Sequence, residues 1–264
     1  NLIKFSNAKK ILSFSGVVAF FEKSYMSKYS FLGIIPARSG SRRILNKNIK
    51  LFQGVPIIKY SINAALQSNL FDKVIVSTDD EEISDMAKKF GADVPFLRSK
   101  ETSDDKSTLG DVVFEVMNRL NLNASNTDYV CCIFATAPFL TKEFLIRSEK
   151  LFLEGSFDSF FPVLKYSYPI KRSLRLNNSS GTYEMIWPEN LRTRSQDLED
   201  AFHDTGMFYY LDTKSFLKHK SVFLKNNGCV VIEPWFAQDI DTEEDWQFAE
   251  LKFQTLIDNN FHLA

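Results

Sequence analysis

Three cysteines in 264 residues, two of them adjacent (Cys131 and Cys132), give no disulfide framework and no metal-ligand spacing. They read as small buried hydrophobes of a reducing, cytoplasmic compartment. Neither sign of charge is in excess. The 32 Lys and Arg face 33 Asp and Glu, so composition offers no reason for a nucleic-acid or membrane partner, and any anion site must be local. No apolar run here reaches bilayer length: Ile11 to Phe21 covers eleven residues behind Lys9-Lys10, with no small-residue cleavage site after it. Also missing are Gly-x-x-x-x-Gly-Lys-[Ser/Thr], Gly-x-Gly-x-x-Gly, Gly-x-Ser-x-Gly and His-Glu-x-x-His. Their absence disfavours a P-loop, a dinucleotide fold and the common hydrolases. No internal repeat is visible.

The composition that is present, 44% apolar and 25% charged, is that of an ordinary globular domain. The length suits one domain with an insertion better than two. Met26 to Leu32 reads as a natural start leading into a strand, so residues 1–25 are expected to be an appended segment outside the fold. Residues 26–264 form the domain, with an excursion at about 165–205. Continuous apolar runs at Phe31–Ile35, Lys73–Ser77, Val94–Leu97, Tyr129–Phe134 and Ser159–Leu164 predict buried strands. Between them, helical spacing predicts helices over Pro56–Leu66, with proline in the first turn, then Glu81–Phe90, Thr108–Leu120 and Thr141–Glu154. The alternation predicts a doubly wound α/β fold with a mostly parallel, Rossmann-like sheet. Pro169–Trp187 alternates around Asn177–Gly181 as a β-hairpin does, which suggests a lid or a dimerisation arm. Met207–Leu211 and Cys229–Ile232 return as strands, and a helix over Glu243–Leu256 closes the chain.

One stretch organises the rest. Gly33 to Asn48 runs from an apolar strand through a proline into a loop of small residues carrying Arg38, Arg42, Arg43 and Lys47. Small residues let amide groups approach an anion, and clustered Arg and Lys neutralise it, so the fitting ligand is a polyphosphate. Its place just after a buried strand is where open α/β sheets bind ligands. Asp239 and Asp241 sit two apart after an apolar strand, so extended backbone turns both carboxylates to one side. Hard oxygens there suit Mg²⁺, which travels with nucleotide triphosphates; the plainer reading makes Asp241 the cap of the last helix. Asp79 and Asp80 divide similarly between a ligand role and helix capping. Arg194 has the fork that suits a carboxylate, and His203 is a candidate base or a hydrogen-bonding residue.

Ile35-Pro36-Ala37-Arg38-Ser39-Gly40-Ser41-Arg42-Arg43-Ile44-Leu45-Asn46-Lys47-Asn48 resembles the signature of the acylneuraminate cytidylyltransferases, the CMP-sialic acid synthetase family. Val76–Ile83, Phe96-Leu97-Arg98 and Asp239-Ile240-Asp241 match further blocks in order, and the likeness spans roughly residues 30–258. Thr193–Gly206 and Phe134–Phe139 are most similar to the pseudaminic acid branch. The resemblance implies a sheet of the nucleotide-diphospho-sugar transferase type and transfer of CMP from CTP to a sugar acid, with pyrophosphate released. It places Arg38, Ser41, Arg42, Lys47, Asn48 and Arg98 around the nucleotide, with Arg38, Arg42 and Asp241 doing the catalytic charge work. It assigns Asp239 and Asp241 to Mg²⁺, Arg194, Gln196 and His203 to the sugar, and implies a homodimer. Arg42 stands where the family usually has lysine, and Leu45-Asn46 replace a frequent Pro-Arg pair. Phe134 occupies the place of a glutamine used by sialic acid members, which argues against N-acetylneuraminate. The competing readings are the same reaction on legionaminic or N-acetylneuraminic acid, and a non-catalytic nucleotide-binding protein.

Overall fold

The computed structural model describes residues 2–4, by backbone alone, and 29–259. After β1 (Leu2–Lys4) come β2 (Phe31–Pro36), the two-residue ladder β3 (Leu51–Phe52) and β4 (Val55–Pro56), α1 (Ile58–Ser68), β5 (Lys73–Ser77) and α2 (Glu81–Lys89). Then follow α3 (Leu109–Arg119), β6 (Tyr129–Ile133), α4 (Lys142–Gly155) and β7 (Ser159–Lys165). The hairpin β8 (Leu174–Asn177) and β9 (Thr182–Met185) leads to β10 (Phe202–Asp204), β11 (Phe208–Asp212), α5 (Thr213–His219), β12 (Asn227–Val231) and α6 (Glu243–Asp258).

The main sheet runs β1-β12-β7-β11-β6-β2-β5, with β10 also on β7. β5 and β6 flank β2 in parallel, whereas β11 lies antiparallel between β6 and β7. Side chains alternate between two cores. Phe31 and Ile35 of β2, Cys131 and Ile133 of β6, and Phe208 and Tyr210 of β11 face α1, α4 and α6. Leu32 and Ile34, Val130 and Cys132, and Tyr209 and Leu211 face α3 and α5. Helices therefore cover both faces, and the apolar runs follow from that burial. The two adjacent cysteines serve opposite cores, and burial pushes the Cys132 thiol up to about 12.

Helix boundaries follow local chemistry. Thr108 and Thr141 accept the amides of Asp111 and Phe144, and Asp80 accepts that of Ile83. Three expectations need correcting. Pro56 opens no helix: it pairs with Leu51 in the small ladder, and α1 begins at Ile58. Val94–Leu97 is no strand, because only Asp93 bridges to Ile75 and Pro95 brings no amide to a ladder. Residues 1–25 do not stand wholly apart, since Leu2–Lys4 pairs with β12 and supplies partners for that strand's otherwise open edge. The rest of that segment lies outside the described residues.

The chain leaves β2 toward β5 and returns across it to β6. The carboxyl ends of β2 and β6 thus flank the point where the winding reverses, the usual place for a ligand crevice. β10 and β11 run along β7 as one strand broken at Thr205-Gly206, where Gly206 takes a φ of 61°.

Candidate active site

The loop after β2 is held by ties from distant parts of the chain. Ser39 donates both its amide and its hydroxyl to Asp79, at 2.9 and 3.0 Å. Asn48 is buried and donates Nδ2 to the Arg38 carbonyl at 2.8 Å, closing the neck of the loop. Ile44 plugs into the core at 1% exposure, while Leu45 beside it is 80% exposed. The Ser41 amide turns back to the Ser39 carbonyl at 2.8 Å. A Cβ placed on Gly40 would meet no protein atom within 4 Å, so the space over the loop is open. Asp79 is thus a loop tie and Asp80 a helix cap.

Each loop cation meets an acid. Arg38 reaches the Asp104 carbonyl and the Asp105 carboxylate, both at 2.8 Å, and Arg42 reaches Asp105 at 2.5 Å. Arg43 contacts Asp241 at 2.8 Å; Lys47 donates to the Ile240 carbonyl at 2.7 Å and lies 3.5 Å from Asp241. Two guanidinium groups therefore converge on one carboxylate, with the geometry they would offer a phosphate. Arg98 is buried within the field of Arg38. Its Nε donates to the Ser77 hydroxyl at 3.1 Å and its Nη2 to the Ser77 carbonyl. Burial pulls its pKa down and the neighbouring Arg38 adds to this, while Asp79 and Glu115 oppose it.

Asp239 and Asp241 come to this loop from the far end of the chain. The cap of α6 is Thr242, in a capping box with Asp245, so Asp241 is not needed as a cap. Asp239 packs on the strand break: a Cβ on Gly206 would stand 2.9 Å from its Oδ1. The Gly206 amide donates to Asp204 Oδ1 at 3.0 Å, so two carboxylates meet on either side of one glycine. Burial first, then the charges of Asp241 and Asp204, push the Asp239 carboxyl up, and Lys47 offsets part of this. Buried Tyr209 bonds to Asp204, and its hydroxyl is held well above the usual range, by burial before that charge.

The donor chemistry fits a hard divalent cation. Burial and the nearby Asp241 charge both disfavour ionised Asp239, so a positive charge beside the pair would offset that cost, and carboxylate oxygens suit Mg²⁺. Among the described residues, no group of three or more His, Cys, Asp or Glu forms a metal cluster.

The sugar-side candidates are arranged differently. Arg194 closes its fork on Asp197, at 2.6 and 3.2 Å, and is 72% exposed at the side chain. Gln196 is exposed on the same short turn. His203 is exposed on β10, its Nδ1 2.8 Å from the Asp204 carbonyl and its ring against Tyr166. Among the described residues, neither Arg194 nor Gln196 touches the loop or the Asp239–Asp241 pair. Phe134, at the end of β6, packs toward Tyr209, and its amide donates to the Met207 carbonyl at 2.8 Å. Sequence reasoning missed Asp104 and Asp105, which sit in a polar loop with no pattern beyond adjacent acids, and Asp204 within the Arg194–Gly206 block.

Comparison with known proteins places this geometry. The profile of the cytidylyltransferase family matches residues 32–225. A pseudaminic acid cytidylyltransferase of Campylobacter jejuni is 40% identical over 223 residues, 84% of this chain and 96% of the relative. N-acylneuraminate cytidylyltransferase A of Danio rerio is 33% identical, over 82% of this chain and half of that protein's length (49%). Among solved structures, a CMP:2-keto-3-deoxy-manno-octonic acid synthetase complexed with CTP superposes with a TM-score of 0.60 at 15% identity. It covers 86% of this chain and 99% of its own, which establishes the shared fold.

Proposed function

The chain belongs to the cytidylyltransferase family, and we propose that it transfers CMP from CTP to the anomeric hydroxyl of a nonulosonic acid, with pseudaminic acid as the substrate. The convergence of Arg38 and Arg42 on a single carboxylate, beside the Asp239–Asp241 pair, carries this reading. The pseudaminic acid relative, similar along nearly its whole length, supports the choice of sugar. Phe134 in place of a glutamine weighs against N-acetylneuraminate.

The reaction is a displacement at the α-phosphorus. The sugar oxygen forms a bond to it and loses its proton to solvent, the bond to the β-phosphate oxygen breaks, and pyrophosphate leaves with the electron pair. Such transfers depend on alignment and charge neutralisation. Arg38 and Arg42 exchange Asp105 for phosphate oxygens and balance the charge that grows on pyrophosphate. Arg98, within the field of Arg38, adds positive potential from a water-poor position, where it acts more strongly than at the surface. Asn48 and Asp79 hold the loop backbone in place. Asp239 and Asp241 would hold Mg²⁺, which supplies further neutralisation of the triphosphate. Arg194, released from Asp197, fits the sugar carboxylate, with Gln196 and His203 nearby in sequence.

We also infer a cytoplasmic homodimer joined through the β8–β9 hairpin. Leu174, Leu176, Tyr183 and Leu191 lie exposed there, more apolar surface than a solvated arm needs. The free cysteines, two of them buried, suit a reducing compartment.

The test is an omission series on the purified protein, reading pyrophosphate. Release should require CTP, a divalent cation and pseudaminic acid together. CTP binding without pyrophosphate under any sugar acid would instead support the non-catalytic reading.

A further inference from the structure

Among the described residues, Lys252, on α6, reaches three oxygens and no carboxylate. Its Nζ stands 3.1 Å from the Pro234 carbonyl, 3.0 Å from the Ala237 carbonyl and 2.9 Å from Gln238 Oε1. Gln238 passes the link on, donating Nε2 to the Asp239 carbonyl at 3.0 Å. From the other side Lys47 donates to the Ile240 carbonyl at 2.7 Å, and the Asp241 amide donates to Asp245 at 3.1 Å. Two ammonium groups on separate elements thereby fix the backbone that carries both acids.

A lysine is an uneconomical residue for holding a helix to a turn. It gives up water on partial burial, which lowers its pKa, and no acid nearby compensates. An apolar side chain would pack the same helix position without that cost. What the ammonium adds is three donors radiating from one atom, able to gather carbonyls that diverge. Those it gathers belong to the five residues before Asp239.

We propose that Lys252 is a positioning residue for Asp239 and Asp241, acting through Gln238 and the backbone of residues 237–240. This rests on the reading that the two acids hold a divalent cation. Residues that orient metal ligands typically change metal affinity by about 10–100-fold when lost.

The test compares wild type, Lys252→Met, Lys252→Arg and Asp241→Asn. It reads the melting temperature without ligand, its rise on adding CTP with Mg²⁺ in the absence of sugar, and the half-saturating Mg²⁺ for pyrophosphate release. Lys252→Met should need about ten-fold more Mg²⁺ and lose most of the Mg²⁺-dependent rise in melting temperature. The KM for CTP at saturating metal should move less than about two-fold, and Lys252→Arg, which still donates to these carbonyls, should recover most of the metal response. Lys252→Met that melts lower but keeps the wild-type metal response would overturn the proposal, as would no recovery in Lys252→Arg. If Lys252→Met does not fold, Lys252→Gln carries the same comparison, with two uncharged N–H donors in place of three charged ones. Asp241→Asn separates the two claims: an unchanged metal response there removes the metal reading itself, whatever Lys252 does.

Discussion

The loop after β2 and the excursion between β7 and β10 are both irregular and polar, yet they are secured in opposite ways. The loop is tied over long sequence distances: Ser39 to Asp79, Lys47 to Ile240, Arg38 to Asp104. The excursion's bonds stay largely within itself, Arg194 to Asp197, Arg172 to the Thr193 carbonyl, Lys171 to Glu199. At its neck, Lys165 pairs with Asp200 and the Tyr166 amide meets the Ala201 carbonyl. Beyond that neck, Tyr183 is 67% and Leu191 64% exposed. The difference separates the two halves of the reaction. On the proposed reading, the nucleotide half is pre-organised within one chain, whereas the sugar half is held mainly by contacts within the excursion.

The contrast can be broken at several points. The largest effect is expected from Arg38→Ala, which removes the cation that the loop is built to present. It should lower kcat/KM for CTP by about 10²–10³-fold, in the range for removing one pre-organised donor to developing charge. Arg194→Ala should act on the other half alone. Steady-state kinetics should show a rise of about ten-fold in the KM for the sugar acid, with the KM for CTP within about two-fold of wild type. A matching rise in both would mean the halves are not separable.

Asp105→Asn sharpens the comparison from the acid side. If, as proposed, both arginines give up this carboxylate to receive phosphate, its neutralisation should lower the KM for CTP by about three-fold. The pair is largely exposed, so the gain stays modest and shrinks with added salt. A higher KM would mean that Asp105 aligns the arginines rather than competing for them. The smallest effect concerns stability. Burial and Asp241 raise the Asp239 pKa in the folded protein, so ionising it there costs stability that the unfolded chain does not lose. Asp239→Asn should therefore melt slightly higher than wild type at neutral pH without ligand. The gain should fade as pH drops and vanish below the ordinary aspartate value of 3.8, where both states are protonated.

Local pattern revealed much of this molecule. Buried strands, the cap at Thr141, and the hairpin around Asn177–Gly181 all follow from residue chemistry within a few positions. What stayed hidden depends on partners far away in sequence. Nothing near Asp105 signals that it will meet Arg38, and nothing near Lys252 signals that it will grip the turn before Asp239. Asp241 looked like a cap because its neighbours suit one, but Thr242 takes that place and frees it to face Lys47 and Arg43. Pro56 misled for a similar reason. Its suitability for a helix's first turn is local, whereas its pairing with Leu51 depends on how the loop closes.

The most direct measurement is a panel of nonulosonic acids assayed with CTP and Mg²⁺, with kcat/KM taken from pyrophosphate release and the CMP-sugar identified by mass. Pseudaminic acid should give the highest kcat/KM, at least about ten-fold above legionaminic and N-acetylneuraminic acids, roughly the discrimination that one or two pocket contacts supply. Equal or better turnover of N-acetylneuraminic acid would contradict the assignment of the sugar.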